Sequence, residues 1–238
     1  MTLPLQFERT AILLGEAALR HLSGRHVLVA GLGGVGGQCA DALARAGIGR
    51  LTLIDSDVIV PSNINRQLPA LLSTVGKTKV DVVRARIADI HPDCHVTTQR
   101  VFLTPENISG YLAEDLDFVI DCIDTLVSKA ALIAAARQRG LPVASSMGAG
   151  NRLDPARVRL ADISRTHGCP LARLLRAQLR KLGVHDGVLT VFTDEPPRAP
   201  RPRGADESRP TNGTISYMPP LFGLMLAGAV VQRLLPET

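Results

Sequence analysis

Tryptophan is absent from the 238-residue chain, and aromatic residues make up only 3% of it. A protein that grips single strands by stacking many bases carries more aromatic faces than that. Cysteine is scarce as well: four, at positions 39, 94, 122 and 169, with no CxxC pair. This argues against zinc ribbons and small disulfide scaffolds and fits a reducing, cytoplasmic setting. No long apolar run is present. The most apolar stretch, Met218–Val231, is shorter than the roughly 20 residues a spanning helix needs, and Pro219 and Pro220 stand near its start. It reads as a buried C-terminal helix, and no stable membrane span is expected. Met1–Arg9 is short and mixed, without the continuous apolar core of a secretory signal. A large net charge is missing too. The formal value of +5 admits a polyanionic partner without requiring one. Hydrophobic residues at 45% and charged residues at 21% exclude global disorder, and the length suits one α/β domain, alone or with a small appendage.

What is present is an alternation. Helical spacing over Ala11–Leu22 is followed by a β-rich run, His26–Ala30, that ends in glycines. Val35–Ala46 reads as a helix of small residues and Leu51–Asp55 as a second strand. Ile59–Leu72 is an irregular polar loop, and Lys77–Ile90 returns to helix. Val96–Val101, Phe118–Ile123 and Pro142–Ser146 are further strands, with helices expected at Pro105–Leu112 and Ser128–Arg139. Strands alternating with helices predict a Rossmann-like α/β fold: a mainly parallel sheet covered on both faces. After residue 150 the pattern changes. Arg157–Asp162 reads as an added strand, antiparallel in sense, Leu171–Leu182 as a basic helix, and Val188–Thr193 as another strand. Residues 196–210 are dense in Pro and Arg and predict a mobile loop. The expected division is a nucleotide-binding core over 1–150 and an extension over 151–238 packed on the same domain.

Gly31-Leu32-Gly33-Gly34-Val35-Gly36 follows a strand and opens a helix. Glycines there let the backbone turn tightly and approach a phosphate, and the helix start offers free N–H groups and a positive dipole end. Asp55 ends the next strand 24 residues after Gly31, near the spacing at which a carboxylate meets ribose hydroxyls. This fingerprint leaves NAD and ATP both open. The following residues favour a triphosphate: Asp55-Ser56-Asp57, then Asn63-Ile64-Asn65-Arg66-Gln67, then Gly76-Lys77-Thr78-Lys79. Fixed cations such as Arg66 and Lys79 can neutralise charge that builds on a phosphoryl group in flight. Asp124, in Asp121-Cys122-Ile123-Asp124, falls beyond the carboxyl end of a buried strand. A carboxylate there suits Mg²⁺ between phosphate oxygens, and it also suits a helix N-cap.

In the order and spacing of these motifs the chain resembles the ThiF/MoeB/HesA superfamily, relatives of the ubiquitin-activating enzymes, from about Phe7 to Gly150. The resemblance implies adenylation of a carboxylate with Mg-ATP. Carried over motif by motif, Gly31, Gly33, Gly34 and Gly36 form the phosphate turn, and Asp55 holds the ribose. Asn63, Asn65, Arg66 and Lys79 belong to the nucleotide site, and Asp124 binds Mg²⁺. The resemblance further implies a homodimer in which Arg9, in Gln6-Phe7-Glu8-Arg9-Thr10, reaches the partner's ATP.

Members that activate ubiquitin-like sulfur carriers usually carry two CxxC zinc pairs, and this chain has none. The chain instead resembles the tRNA threonylcarbamoyladenosine dehydratase branch. Its marks are Lys129-Ala130-Ala131-Leu132-Ile133, Ser146-Met147-Gly148-Ala149-Gly150, Asp154-Pro155, and Gly213-Thr214-Ile215-Ser216-Tyr217-Met218-Pro219-Pro220. The implied chemistry is internal dehydration. ATP activates the threonyl carboxylate and the neighbouring carbamoyl nitrogen closes a ring, with no enzyme cysteine required. Adenylation of a sulfur carrier's C-terminus is the alternative activity, and a sulfur-transfer or desulfurase-type protein is a further partner the resemblance allows. For tRNA, the segment 152–181 holds eight basic and two acidic residues, a local +6 that leaves −1 for the rest. On a helix, Arg173, Arg176 and Arg180 fall at i, i+3 and i+7 and form a candidate phosphate-contact stripe.

Overall fold

The computed structural model describes residues 4–199 and 212–236. Among the described residues, seven strands form one sheet: β1 (His26–Ala30), β2 (Arg50–Ile54), β3 (His95–Gln99), β4 (Phe118–Asp121), β5 (Val143–Ser146), β6 (Val158–Asp162) and β7 (Val188–Thr193). The helices are α1 (Glu8–Leu14), α2 (Glu16–Ser23), α3 (Gly36–Arg45), α4 (Lys79–Ile90), α5 (Leu126–Gln138), α6 (Pro170–Lys181) and α7 (Met218–Leu234). The sheet order is β3-β2-β1-β4-β5-β7-β6. All neighbours are parallel except β6, which runs antiparallel to β7 with Leu160 opposite Val191. The Rossmann-like expectation and the added antiparallel strand both hold.

The central strands read as near-continuous apolar runs because both of their faces are covered. Val27 and Val29 of β1 point to one face, with Leu43 of α3, Val83 of α4 and Phe222 of α7. Leu28 and Ala30 point to the other, with Ile133 of α5 and Leu175 of α6. Strand order reverses between β1 and β4, so a crevice opens beyond their carboxyl ends, where open α/β sheets bind ligands.

Three sequence expectations change. The single helix over Ala11–Leu22 is two, broken at Gly15, which takes φ +82°. The helix over Pro105–Leu112 is only a 3₁₀ turn at Ile108–Tyr111. Asn107 bends the entry by accepting from Thr104 N and donating to Phe102 O, and Arg139 claims the carbonyls of Ser109 and Leu112. Asp55 lies one residue past the end of β2. The Pro/Arg-rich stretch expected to be a mobile loop lies outside the described residues from 200 onward. Among the described residues no helix is long and apolar enough to cross a membrane.

Candidate nucleotide site

The turn after β1 is built from close approaches that only glycine permits. Gly31 sits at φ +85°, and a Cβ there would stand 2.7 Å from the Cys122 carbonyl oxygen. Gly36 opens α3 so tightly against the turn that a Cβ would lie 1.7 Å from the Gly31 oxygen. Gly33 has room, its nearest neighbour being Gln67 Nε2 at 3.7 Å from a built Cβ. No side chain caps the start of α3, so its positive end is left for an anion.

Beside the turn, the Asp55 carboxylate accepts from Leu32 N at 2.6 Å and from Asp57 N at 2.8 Å. Burial raises its pKa, against the lowering pull of Lys79 and the two backbone bonds. Lys79, buried at the start of α4, donates to Asp57 Oδ2 at 2.7 Å and lies 3.9 Å from Asp55 Oδ2. The segment between β2 and α4 supplies the other wall. Asn63 is buried and accepts from Val60 N through Oδ1. Arg66 is held by Ser62 O at 2.8 Å and Asn65 Oδ1 at 2.9 Å. Gln67 is 8% exposed, and its Oε1 has no partner among the described residues.

These residues line one cavity of about 880 Å³. Gly31, Gly33, Gly34, Asp55, Asn63, Arg66, Lys79 and Asp124 all face it. Asp124 is exposed and accepts only from Thr125 Oγ1, at 3.4 Å. It does not cap α5, whose N-cap is Thr125 without a side-chain bond. Asp55 and Asp57 share Lys79, whereas Asp124 has no cationic partner among the described residues. The far wall runs from Ser146 to Arg152 and on to Cys169–Leu171 at the start of α6. Arg152 is buried there and donates to Gly150 O at 2.6 Å and Glu195 O at 3.3 Å.

Four of the sequence-named residues sit elsewhere. Gly36 lies behind the cavity wall and supports the turn rather than facing a ligand. Asn65 also lies off the cavity. Its amide donates to Thr214 O at 2.9 Å and its carbonyl steadies Arg66. Arg9 is exposed on α1 and does not line the cavity. Arg176 is half-buried and spends its guanidinium on Thr166 O and Oγ1, so the exposed stripe on α6 reduces to Arg173 and Arg180.

Sequence reasoning gave Lys129 and Asp121 no role. Both are fully buried, paired at 2.5 Å directly behind the Asp124 loop. The available signal was a lysine inside the otherwise apolar stretch Lys129-Ala130-Ala131-Leu132-Ile133, because a charge inside a core has to be paired.

The cradle fits ATP by its own chemistry. The glycine turn leaves space at a helix start, Lys79 and Arg66 face that space, and the orphaned Gln67 Oε1 is an acceptor awaiting a donor. No cluster of three metal-ligating side chains occurs among the described residues. A divalent ion would therefore draw on Asp124 together with phosphate oxygens, the usual manner of Mg²⁺.

The model of the ThiF family matches residues 7–237. The tRNA threonylcarbamoyladenosine dehydratase of Bacillus subtilis is 42% identical over 242 residues, covering 98% of this chain and 95% of that one. The crystal structure of the Escherichia coli tRNA N6-threonylcarbamoyladenosine dehydratase TcdA in complex with ATP superposes with a TM-score of 0.89 at 37% identity. It covers 96% of this chain and 93% of that one. The molybdopterin-synthase adenylyltransferase of Escherichia coli is 34% identical over 140 residues, 59% of this chain and 54% of that one.

Proposed function

This chain belongs to the ThiF family, and from that membership we propose that it is an ATP-dependent dehydratase of threonylcarbamoyladenosine in tRNA. The observation that carries the reading is likeness over almost the whole length of the Bacillus subtilis dehydratase. Likeness to the sulfur-carrier type of adenylyltransferase covers only about half of either chain. The absence of any CxxC pair points the same way.

In this reading ATP lies along the glycine turn with its ribose at Asp55 and its phosphates facing Asn63, Arg66 and Lys79. When bound at Asp124, Mg²⁺ supplies charge neutralisation for the phosphate oxygens. The threonylcarbamoyl group occupies the half of the cavity walled by Ser146–Arg152. A threonyl carboxylate oxygen attacks the α-phosphorus, and pyrophosphate leaves with the electrons of the broken P–O bond. Arg66 and Lys79 hold the charge that accumulates in flight. The adjacent carbamoyl group then attacks the acyl carbon, AMP departs, one proton is released, and the nucleoside has lost one water. The chain need only orient these groups, since both reacting partners sit on one nucleoside.

Arg9 completes a neighbouring subunit's site in a homodimer, as its exposed position away from its own cavity allows. Arg173 and Arg180 contact tRNA phosphates. Residues 1–150 form the adenylating core and 151–238 its extension. The setting is the cytoplasm, in keeping with four free cysteines.

The test is incubation with Mg-ATP and tRNA bearing threonylcarbamoyladenosine, followed by digestion and mass spectrometry. Loss of one water from the nucleoside is expected. An intact nucleoside together with adenylation of a small carrier protein would replace this reading with the sulfur-carrier one. Mixing Arg9→Ala and Asp124→Ala subunits should restore partial turnover if the arginine acts across the dimer.

A further inference from the structure

Lys129 lies in the first turn of α5 with no exposed surface, and all three of its N–H bonds are used. It donates to Asp121 Oδ2 at 2.5 Å, to Ser146 O at 2.9 Å and to Ser145 Oγ at 3.3 Å. Ser145 Oγ in turn donates to Asp121 Oδ2 at 2.6 Å, and Asp121 Oδ1 accepts from Ile123 N at 3.1 Å. One ammonium thus joins the ends of β4 and β5 to α5. Asp121 closes β4, and the chain runs from it, through the Ile123 amide it holds, to Asp124. Ser146 closes β5, and the chain runs from it into the Met147–Arg152 wall.

A buried ion pair gives little net stability over an apolar pair of the same shape. Its short charged bonds do fix direction and distance. We propose that Lys129 is a positioning residue, setting the Asp124 carboxylate and the Met147–Arg152 wall in register across the cavity. It touches neither ligand and acts through Asp121 and Ser146. This inference rests on the reading of the cavity as a site for Mg-ATP and a substrate carboxylate.

The deciding variant is Lys129→Met/Asp121→Asn, which removes both charges, keeps the volumes and retains an acceptor for Ile123 N. Melting temperature, ATP affinity with and without Mg²⁺, and turnover are measured. The variant should stay folded, melting within about 5 °C of the wild type. Its ATP affinity without Mg²⁺ should lie within about threefold of the wild type, while the tightening produced by Mg²⁺ falls about tenfold or more, as for lost outer-shell support of a metal ligand. Its kcat should drop about a hundredfold with KM for the tRNA little changed, the cost of misplacing groups by about an ångström. A folded variant with Mg²⁺ tightening and kcat unchanged overturns the proposal. If the double variant does not fold, Ser145→Ala decides, since it removes only the hydroxyl bridging Nζ and Oδ2. A several-fold loss of Mg²⁺ tightening supports the proposal, and none overturns it. A wild type that is indifferent to Mg²⁺, or that leaves the nucleoside intact, refutes the reading of the site and this proposal with it.

Discussion

Replacing Gly36 by alanine places a methyl carbon 1.7 Å from the Gly31 carbonyl oxygen, where side-chain carbons stay beyond 3.0 Å. The helix start and the turn must separate by more than about 1 Å to admit it. Neither side yields easily. Gly31 is already backed against the Cys122 carbonyl, and α3 is pinned from behind by α7, where a Cβ on Gly223 would meet Val35 O at 2.3 Å. Overpacking of this kind costs about 1–3 kcal/mol of stability. The same displacement moves the first turn of α3 away from the phosphates, and each hydrogen bond to a charged group lost in this way costs about 1.5–3 kcal/mol of ATP binding. Gly33→Ala is the control. Its methyl finds nothing nearer than 3.7 Å and should leave stability within about 0.5 kcal/mol, while intruding on the space an ATP phosphate needs. Thermal melts without ligand and calorimetric titration with ATP separate the two. Gly36→Ala should lose both stability and affinity, and Gly33→Ala affinity alone. A Gly36→Ala protein that melts and binds ATP like the wild type would refute the reasoning, as would equal melting losses in both variants.

Asp124→Ala and Arg66→Ala should abolish turnover with little change in melting temperature, since Asp124 is exposed and the half-buried Arg66 bonds only to Ser62 and Asn65 of its own segment. Cys169→Ala should be nearly silent in the mass assay, and an inactive variant that still folds and binds ATP would point to an acyl-enzyme step. Hydrogen bonds from Arg157 and Arg159 hold the Asp194 pKa at about 2. Its contribution is present above the ordinary carboxylate range and disappears as pH falls from about 4 toward 2. Asp194→Asn should therefore flatten the acid limb of a melting-temperature profile. Burial lowers the pKa of His91, against the raising pull of Asp93, with Phe7 edge-on at 4.8 Å and neither ring nitrogen partnered among the described residues. The unfolded chain takes up a proton there below about pH 6.5, so stability declines as pH falls through that value, and His91→Leu should remove this decline.

The strands and the glycine turn were readable because each follows a local rule: an apolar run closed by glycine, or a helix opened without a bulky side chain. His26–Ala30 and Val188–Thr193 match the observed strands end to end. Where the reading failed, a distant partner decided. Pro105–Leu112 has a helical look, yet Arg139 from the end of α5 takes two of its carbonyls. The basic stripe on α6 lost Arg176 to Thr166 for the same reason. Lys129 and Asp121 lie eight residues apart and meet only because a strand end and a helix start fold together over Ser145. Spacing alone does not reveal that meeting. The Asp124 loop was legible as a motif, while what holds it in place was not.

The packing of α7 on α3 carries a consequence for the order of events during synthesis. The glycine turn at 31–36 is made well before the helix that braces it, Met218–Leu234. Pro219 stands against Gly34, and Gly223 meets Val35. A nascent chain therefore holds every residue of the phosphate turn long before that turn has its support. The packing of Pro219 on Gly34 and of Gly223 on Val35 forms only when residues beyond 218 have emerged and docked. Until then, the sheet face that α3 and α4 already cover in part stays open where Phe222, Leu226 and Val230 will later sit.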